Sequence, residues 1–151
     1  MKFFALLLLS ALAGCTNGAP AAGAGIPSGG AVTTIDVSLT SSASAATPYG
    51  IAGGYTPLVT NVALGTTVRF VNVDSFPHTA SAVSGTSFPA ASPLGGAALN
   101  ASGGTLSSGW TSGTLGAGTA SQPLLADKAG TYLYGCFFHY SAPMRGAIVV
   151  Q

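Results

Sequence analysis

An all-β fold, arranged as a single antiparallel Greek-key β-sandwich, is predicted by three features of this sequence. Ala, Gly, Ser and Thr dominate, with 22 glycines and 9 prolines among 151 residues, a composition suited to short strands and many turns. No long stretch repeats at helical spacing. Short apolar runs, several of them alternating with polar residues, recur between turn residues, as strands with one buried face require. The length allows one domain of ordinary size.

The elements follow in chain order. Residues 1–14 read as a lipoprotein signal peptide: Lys2 supplies a positive start, and Phe3 to Leu9 form an apolar stretch too short to remain as a membrane-spanning helix. Leu12-Ala-Gly-Cys15 looks like a bacterial lipobox, in which Cys15 becomes the lipid-modified N-terminus after cleavage. An ordinary secretory signal is the other reading, but it leaves the cysteine's position at the end of the apolar stretch incidental. Either reading takes the protein out of the cytoplasm; the first anchors it by lipid to a bacterial membrane, at the periplasm or cell surface. Residues 15–32 are Ala, Gly, Pro and Ser with little else, too poor in apolar surface to offset the entropy of ordering. They read as a flexible tether, and residues 33–151 as the folded domain.

Within that domain, Thr34-Ile-Asp-Val-Ser-Leu-Thr40 alternates as a half-buried strand, and Ser41 to Gly54 reads as loop. Leu58 to Val62 supports a second strand. Thr67 to Asn72 is the clearest strand of the first half, with Val68 and Phe70 on one face. Pro77 ends regular pairing, because it lacks a donor and restricts Phe76. From Ala82 to Ser121 the chain is rich in Gly, Ser, Ala and Thr, with Phe88, Leu94, Leu99, Leu106, Trp110 and Leu115 as candidate anchors. Trp110 reads most simply as a core or edge-packing residue. Gly130 to Tyr134 and Ala147 to Val150 form the last two strands. Tyr134, two residues before a cysteine, suits either a corner hydrogen bond or plain packing.

Those last strands flank the stretch that carries the chemistry. Cys136, His139 and Met144 fall within nine residues, and His78 follows Phe76-Pro77 far upstream. A loop between two strands is a good metal clip, since the sheet holds its ends while the loop points sulfur and imidazole inward. One thiolate, two imidazoles and a thioether suit copper cycling between Cu(I) and Cu(II). An exported protein whose other cysteine carries lipid has no disulfide partner for Cys136, and metal ligation protects such a thiol from oxidation.

The spacing C-x2-H-x4-M, followed by x-G and an apolar strand, resembles that of plastocyanin-type blue-copper proteins, the cupredoxins. Gly65-Thr-Thr-Val-Arg-Phe-Val-Asn-Val-Asp74, leading to Pro77-His78, is similar to the family's first-ligand segment. The resemblance covers roughly residues 33–151 and is concentrated at its two ends. It implies one type 1 copper ion, with His78 and His139 as imidazole ligands, Cys136 as thiolate and Met144 as the weak axial ligand. It also implies an electron port at His139, near an apolar rim for which Phe137, Phe138, Ala142 and Pro143 are candidates; core packing is their other reading. Two departures stand out. Thr79 follows the first histidine where relatives often carry Asn, which puts its hydrogen-bonding role in doubt, and Gly135 precedes Cys136 where photosynthetic plastocyanins carry tyrosine.

Charge narrows the function further. Only 5% of residues are charged and the formal net charge is +1, which offers no field for nucleic acid. Asp36, Asp74 and Asp127 are the only carboxylate side chains, so the acidic patch of photosynthetic plastocyanins is missing and acid has few groups to protonate. Arg145 reads as a solvated charge before an electrostatic handle. No separate acid–base constellation or second metal cluster points to an enzyme. The expectation is a monomeric, membrane-tethered electron carrier meeting redox partner proteins near His139. A copper module for storage, delivery or sensing is the alternative.

Overall fold

The structure, a computed structural model, describes residues 30–151. The expected signal peptide, Cys15 and the tether up to residue 29 lie outside the described residues.

Strand β1 (Val32–Val37) buries Ile35 and Val37 and leaves Thr34 and Asp36 exposed, the two-residue alternation its sequence requires. It begins one residue ahead of the expected boundary and ends before Ser38-Leu39-Thr40. Those three residues leave the sheet because their hydroxyls and a backbone N–H bind Asp74 instead. The stretch expected as loop after it holds a hairpin, β2 (Ala45–Thr47) and β3 (Gly50–Ala52). There follow β4 (Tyr55–Thr56), β5 (Val59–Val62), β6 (Thr67–Asn72) and β7 (Ser81–Val83). The Gly/Ser-rich middle contains a 3-10 turn over Gly96–Leu99 and two short strands, β8 (Ala101–Ser102) and β9 (Thr111–Ser112). β10 (Leu124–Leu125), β11 (Gly130–Gly135) and β12 (Arg145–Val150) complete the domain.

The strands form two main sheets, ordered β10-β6-β1-β4 and β5-β12-β11-β7-β9-β8. The sandwich is as expected, but its pairing is not wholly antiparallel: β1 runs parallel to β6, and β5 parallel to β12. Between β1 and β6 the chain lays β5 into the opposite sheet, and that excursion lets it return beside β1 in the same direction. Alternation in sequence sets which face is buried but not which way a neighbour runs.

Between the sheets lie Ile35, Val37, Tyr55, Val68, Phe70 and Leu124 of the first, facing Tyr134, Ile148 and Val150 of the second. Trp110 belongs to this core and stacks on Phe70, ring centroids 5.3 Å apart. Leu106 and Leu115 join it, while Phe88 and Leu94 pack on a smaller cluster around Leu133, Tyr140 and Ala147. Leu99 anchors nothing; it is exposed. Tyr134 and Leu133 take opposite faces of β11, so one strand feeds both clusters. The Tyr134 hydroxyl finds no partner among the described residues, so this tyrosine packs rather than forming a corner hydrogen bond.

Candidate metal centre

Three chain segments meet at one end of the sandwich. The first leaves β6 through Asn72, whose side-chain amide donates to the carbonyls of Phe76 (2.8 Å) and Leu115 (2.9 Å) while its oxygen accepts from Asp74 N. One buried side chain thus sets the course of the loop to His78. The His78 backbone exchanges two hydrogen bonds with Leu115, so the Gly/Ser-rich middle segment clamps this histidine from behind.

The second segment is the β11–β12 connection. Cys136 N donates to the Met144 carbonyl at 3.0 Å, closing the loop at its base; Ala142 N and Met144 N both donate to the His139 carbonyl. Six residue pairs of β11 and β12 hold the ends of this loop in register. Gly135, before Cys136, has a local cause: a Cβ there would meet the Tyr140 ring at 2.6 Å. Tyr140 turns back into the outer cluster and fixes the far side of the loop.

Arg145 belongs to the same construction. It is not the solvated charge expected from sequence: its guanidinium lies 4.5 Å from the Tyr140 ring centroid, donates to the Tyr140 carbonyl at 3.0 Å and reaches the Pro89 carbonyl at 3.4 Å. The expectation failed because exposure was inferred from charge alone, whereas this side chain has aromatic and carbonyl partners brought in from elsewhere in the chain.

The third segment, Gly53-Gly54-Tyr55, passes beneath the loop. Gly53 and Arg145 exchange backbone hydrogen bonds. Gly54 adopts φ 72°, and any Cβ there would overlap the Met144 side chain, so the bare backbone makes room for the methionine.

These supports bring the candidate ligands together. His78 Nδ1, Cys136 Sγ and His139 contribute ligand atoms that all lie within 4.8 Å of one another. The two imidazoles present the same nitrogen to sulfur, with Nδ1 of His78 at 3.8 Å and Nδ1 of His139 at 3.7 Å from Sγ. Met144 is fully buried in the cluster that contains Cys136. His78 and Cys136 are likewise at 0% exposure, whereas His139 is only half-buried. All four folded-domain candidates therefore gather at one end; Cys15 lies outside the described residues.

The polar groups around the sulfur suit an anionic ligand. Thr79 N points to Sγ at 3.4 Å. Thr79 Oγ1 accepts from Phe137 N at 2.8 Å, so Thr79 ties the His78 segment to the cysteine loop and does have a hydrogen-bonding role. Tyr55 donates its hydroxyl to the Thr79 carbonyl at 2.6 Å, and burial, followed by the charges of Cys136 and Tyr134, pushes that phenol's pKa up so that it stays a donor. Burial and then neighbouring His78 lower the pKa of His139 from its ordinary 6.5, with Asp74 acting weakly the other way.

Around His139 the surface is apolar. Phe138 is 43% exposed and Ala142 is exposed, while Phe137 and Pro143 are half-buried. Phe76 also flanks His139, with ring centroids 5.7 Å apart, and Val73 is exposed on the same loop. Sequence reasoning passed over Phe76, Gly54 and Asp74. Asp74 left a usable trace, a carboxylate four residues before a candidate ligand histidine; the other two depend on contacts with distant segments.

Comparison with known proteins agrees with this geometry. Residues 54–151 match the family described as copper binding proteins, plastocyanin/azurin family. The chain belongs to the plastocyanin/azurin family. That match contains every candidate ligand of the folded domain. Among solved structures, a purple cupredoxin from Nitrosopumilus maritimus is 21% identical, with a TM-score of 0.48 over 78% of this chain and 98% of that one. An amicyanin variant in the Cu(I) state is 18% identical, with a TM-score of 0.48 over 80% of this chain and 82% of that one. A comparison with curated proteins found no match. This cupredoxin takes one copper ion, and a blue-copper electron carrier is the general function its family supports. The donor set fits: a buried thiol with no disulfide partner among the described residues, two converging imidazole nitrogens and an adjoining thioether.

Proposed function

We propose that this cupredoxin is a monomeric, membrane-tethered carrier of single electrons between redox partner proteins outside the cytoplasm. The observation that carries the reading is the convergence of His78, Cys136 and His139 within 4.8 Å on loops fixed at both ends. His78 and His139 would hold copper through Nδ1, Cys136 through its thiolate and Met144 through its thioether. Bound copper supplies the Cu(I)/Cu(II) couple. The chain supplies a site that changes shape little, because β11, β12, Thr79 and Leu115 hold the ligands in place. Burial of His78, Cys136 and Met144 favours electron carriage over copper delivery, which needs exchangeable, accessible ligands. His139 is the half-buried ligand beside exposed Phe138, so redox partners dock there. The Cys15 lipid and the tether that follows it, ending before strand β1, give the domain reach from the membrane.

Titration of the purified protein with Cu(II) tests the site. An intense blue band saturating at one equivalent, bleached reversibly by a mild reductant and missing in Cys136→Ser, is the expected result. A colourless complex would refute thiolate ligation. For the anchor, labelled fatty acid should enter the wild type in a bacterial host and not Cys15→Ser; equal labelling of both would sink the lipoprotein assignment.

A further inference from the structure

The ligand His78 has a second ring nitrogen, and its partner is a buried carboxylate. Nε2 lies 2.9 Å from Asp74 Oδ2, with His78 fully buried and the Asp74 side chain nearly so. Asp74 is held independently of the histidine. Ser38 Oγ donates to Oδ1 at 2.8 Å, Leu39 N donates to Oδ2 at 2.7 Å, and the Thr40 hydroxyl donates to Oδ1. Ser38 is itself braced by Ser41 N and Ser41 Oγ. The turn that ends β1 therefore forms a cradle for one anionic group, and the group is aimed at the back of a ligand.

Such an arrangement has two consequences. An ionised carboxylate accepts hydrogen bonds only, so the neutral imidazole must carry its proton on Nε2 and present a lone pair at Nδ1, the atom that faces Cys136 Sγ. A negative charge behind the ring also makes Nδ1 a stronger donor, which favours the more highly charged metal state.

We propose that Asp74 is a positioning residue that fixes the His78 tautomer and biases the site toward Cu(II), and that the Ser38-Leu39-Thr40 turn sets the strength of that bias. The inference rests on His78 being a ligand, as proposed above. Each donor from the turn takes up part of the carboxylate's charge, so the hydrogen bonds that hold Asp74 also moderate its effect on the ring.

This competition predicts shifts of opposite sign. Asp74→Asn is nearly isosteric: its oxygen can still accept from His78 Nε2 and Leu39 N, while its amide faces hydroxyls able to turn and accept. Loss of the charge should lower the Cu(II)-over-Cu(I) affinity ratio about tenfold, a rise of about 59 mV in a one-electron potential. Thr40→Val removes one competing donor from an exposed position and should move the ratio the other way, by less. A loosened site would move both variants in the same direction.

The experiment uses the full chain. Imidazole 15N spectra of the copper-free wild type in mildly alkaline buffer should show the His78 proton on Nε2; a proton on Nδ1 would overturn the proposal. Cu(I) and Cu(II) affinities and the potential are then compared across the wild type and the two variants. Opposite shifts support the proposal, and shifts of one sign, or none, overturn it. If Asp74→Asn fails to fold, Thr40→Val decides alone: a lowered potential supports the proposal and an unchanged or raised one refutes it. Failure of the wild type to give a blue band would refute the ligand assignment instead, which keeps the two readings separable.

Discussion

Thr79 shows how much one side chain can carry at this site. Its hydroxyl accepts from Phe137 N, its amide points at Cys136 Sγ, and its carbonyl takes the Tyr55 hydroxyl. Thr79→Val keeps the shape but takes away the acceptor of the part-buried Phe137 N–H, a loss of about 1 kcal/mol. Urea unfolding of the copper-free protein measures it; Thr79→Ser should restore most of the loss, and equal midpoints for Val and Thr would dismiss the bond as unimportant. At this position a threonine hydroxyl supplies the acceptor that the Phe137 N–H needs. The sequence showed the threonine but not this role, which depends on where the backbone of Phe137 passes.

At the scale of elements, the β11–β12 loop depends on a clamp. Arg145 bonds to the Tyr140 and Pro89 carbonyls and lies over the Tyr140 ring, fastening the ligand loop to the 88–94 segment. Arg145→Ala should cost about 1–2 kcal/mol, from the lost cation–π contact and carbonyl bonds. Lys should recover little, because an ammonium cannot lie flat on the ring while donating along its edge. Thermal unfolding compares the three proteins, and full rescue by Lys would reduce the clamp to a plain charge effect. Strands β6, β11 and β12 were legible in sequence since each has a run of apolar residues between turn signals. The β2–β3 hairpin and strands β7 to β9 were not. They are two or three residues long and pair through backbone atoms, so their side chains carry too little periodicity to read.

For the molecule as a whole, the small number of titratable groups shapes its response to acid. Burial opposes the charge on Asp74, but bonds from Thr40, Ser38, His78 and Leu39 N outweigh it and hold that carboxyl well below the usual range. The Ser107 hydroxyl lowers Asp127 most; desolvation opposes it, and backbone bonds add to the lowering. A carboxylate with a depressed folded pKa adds stability above its unfolded value of about 4, and that stability is lost as pH falls through the folded value. His139 is likewise depressed, from 6.5. The unfolded chain then binds its proton first, so neutral His139 favours folding above 6.5 and the contribution fades as pH drops through the lowered value. The copper-free protein should therefore lose stability first just below pH 6.5 and later in the range where carboxylates titrate. Urea midpoints against pH check this. His139→Gln should abolish the upper step, and its persistence would assign that step elsewhere.

The all-β class, the candidate ligand quartet and the family's copper chemistry were legible in the sequence itself. Strand alternation and the spacing of Cys136, His139 and Met144 are local properties, and His78 follows a strand and a proline that are equally local. Only the tertiary structure decided the parallel pairings, the fit of Gly54 beneath Met144, the clamp at Arg145 and the aim of Asp74 at His78. Each depends on segments distant in sequence meeting at a chosen direction and depth. Periodicity and spacing specify what a residue offers, while sheet crossings and loop closures determine what it meets.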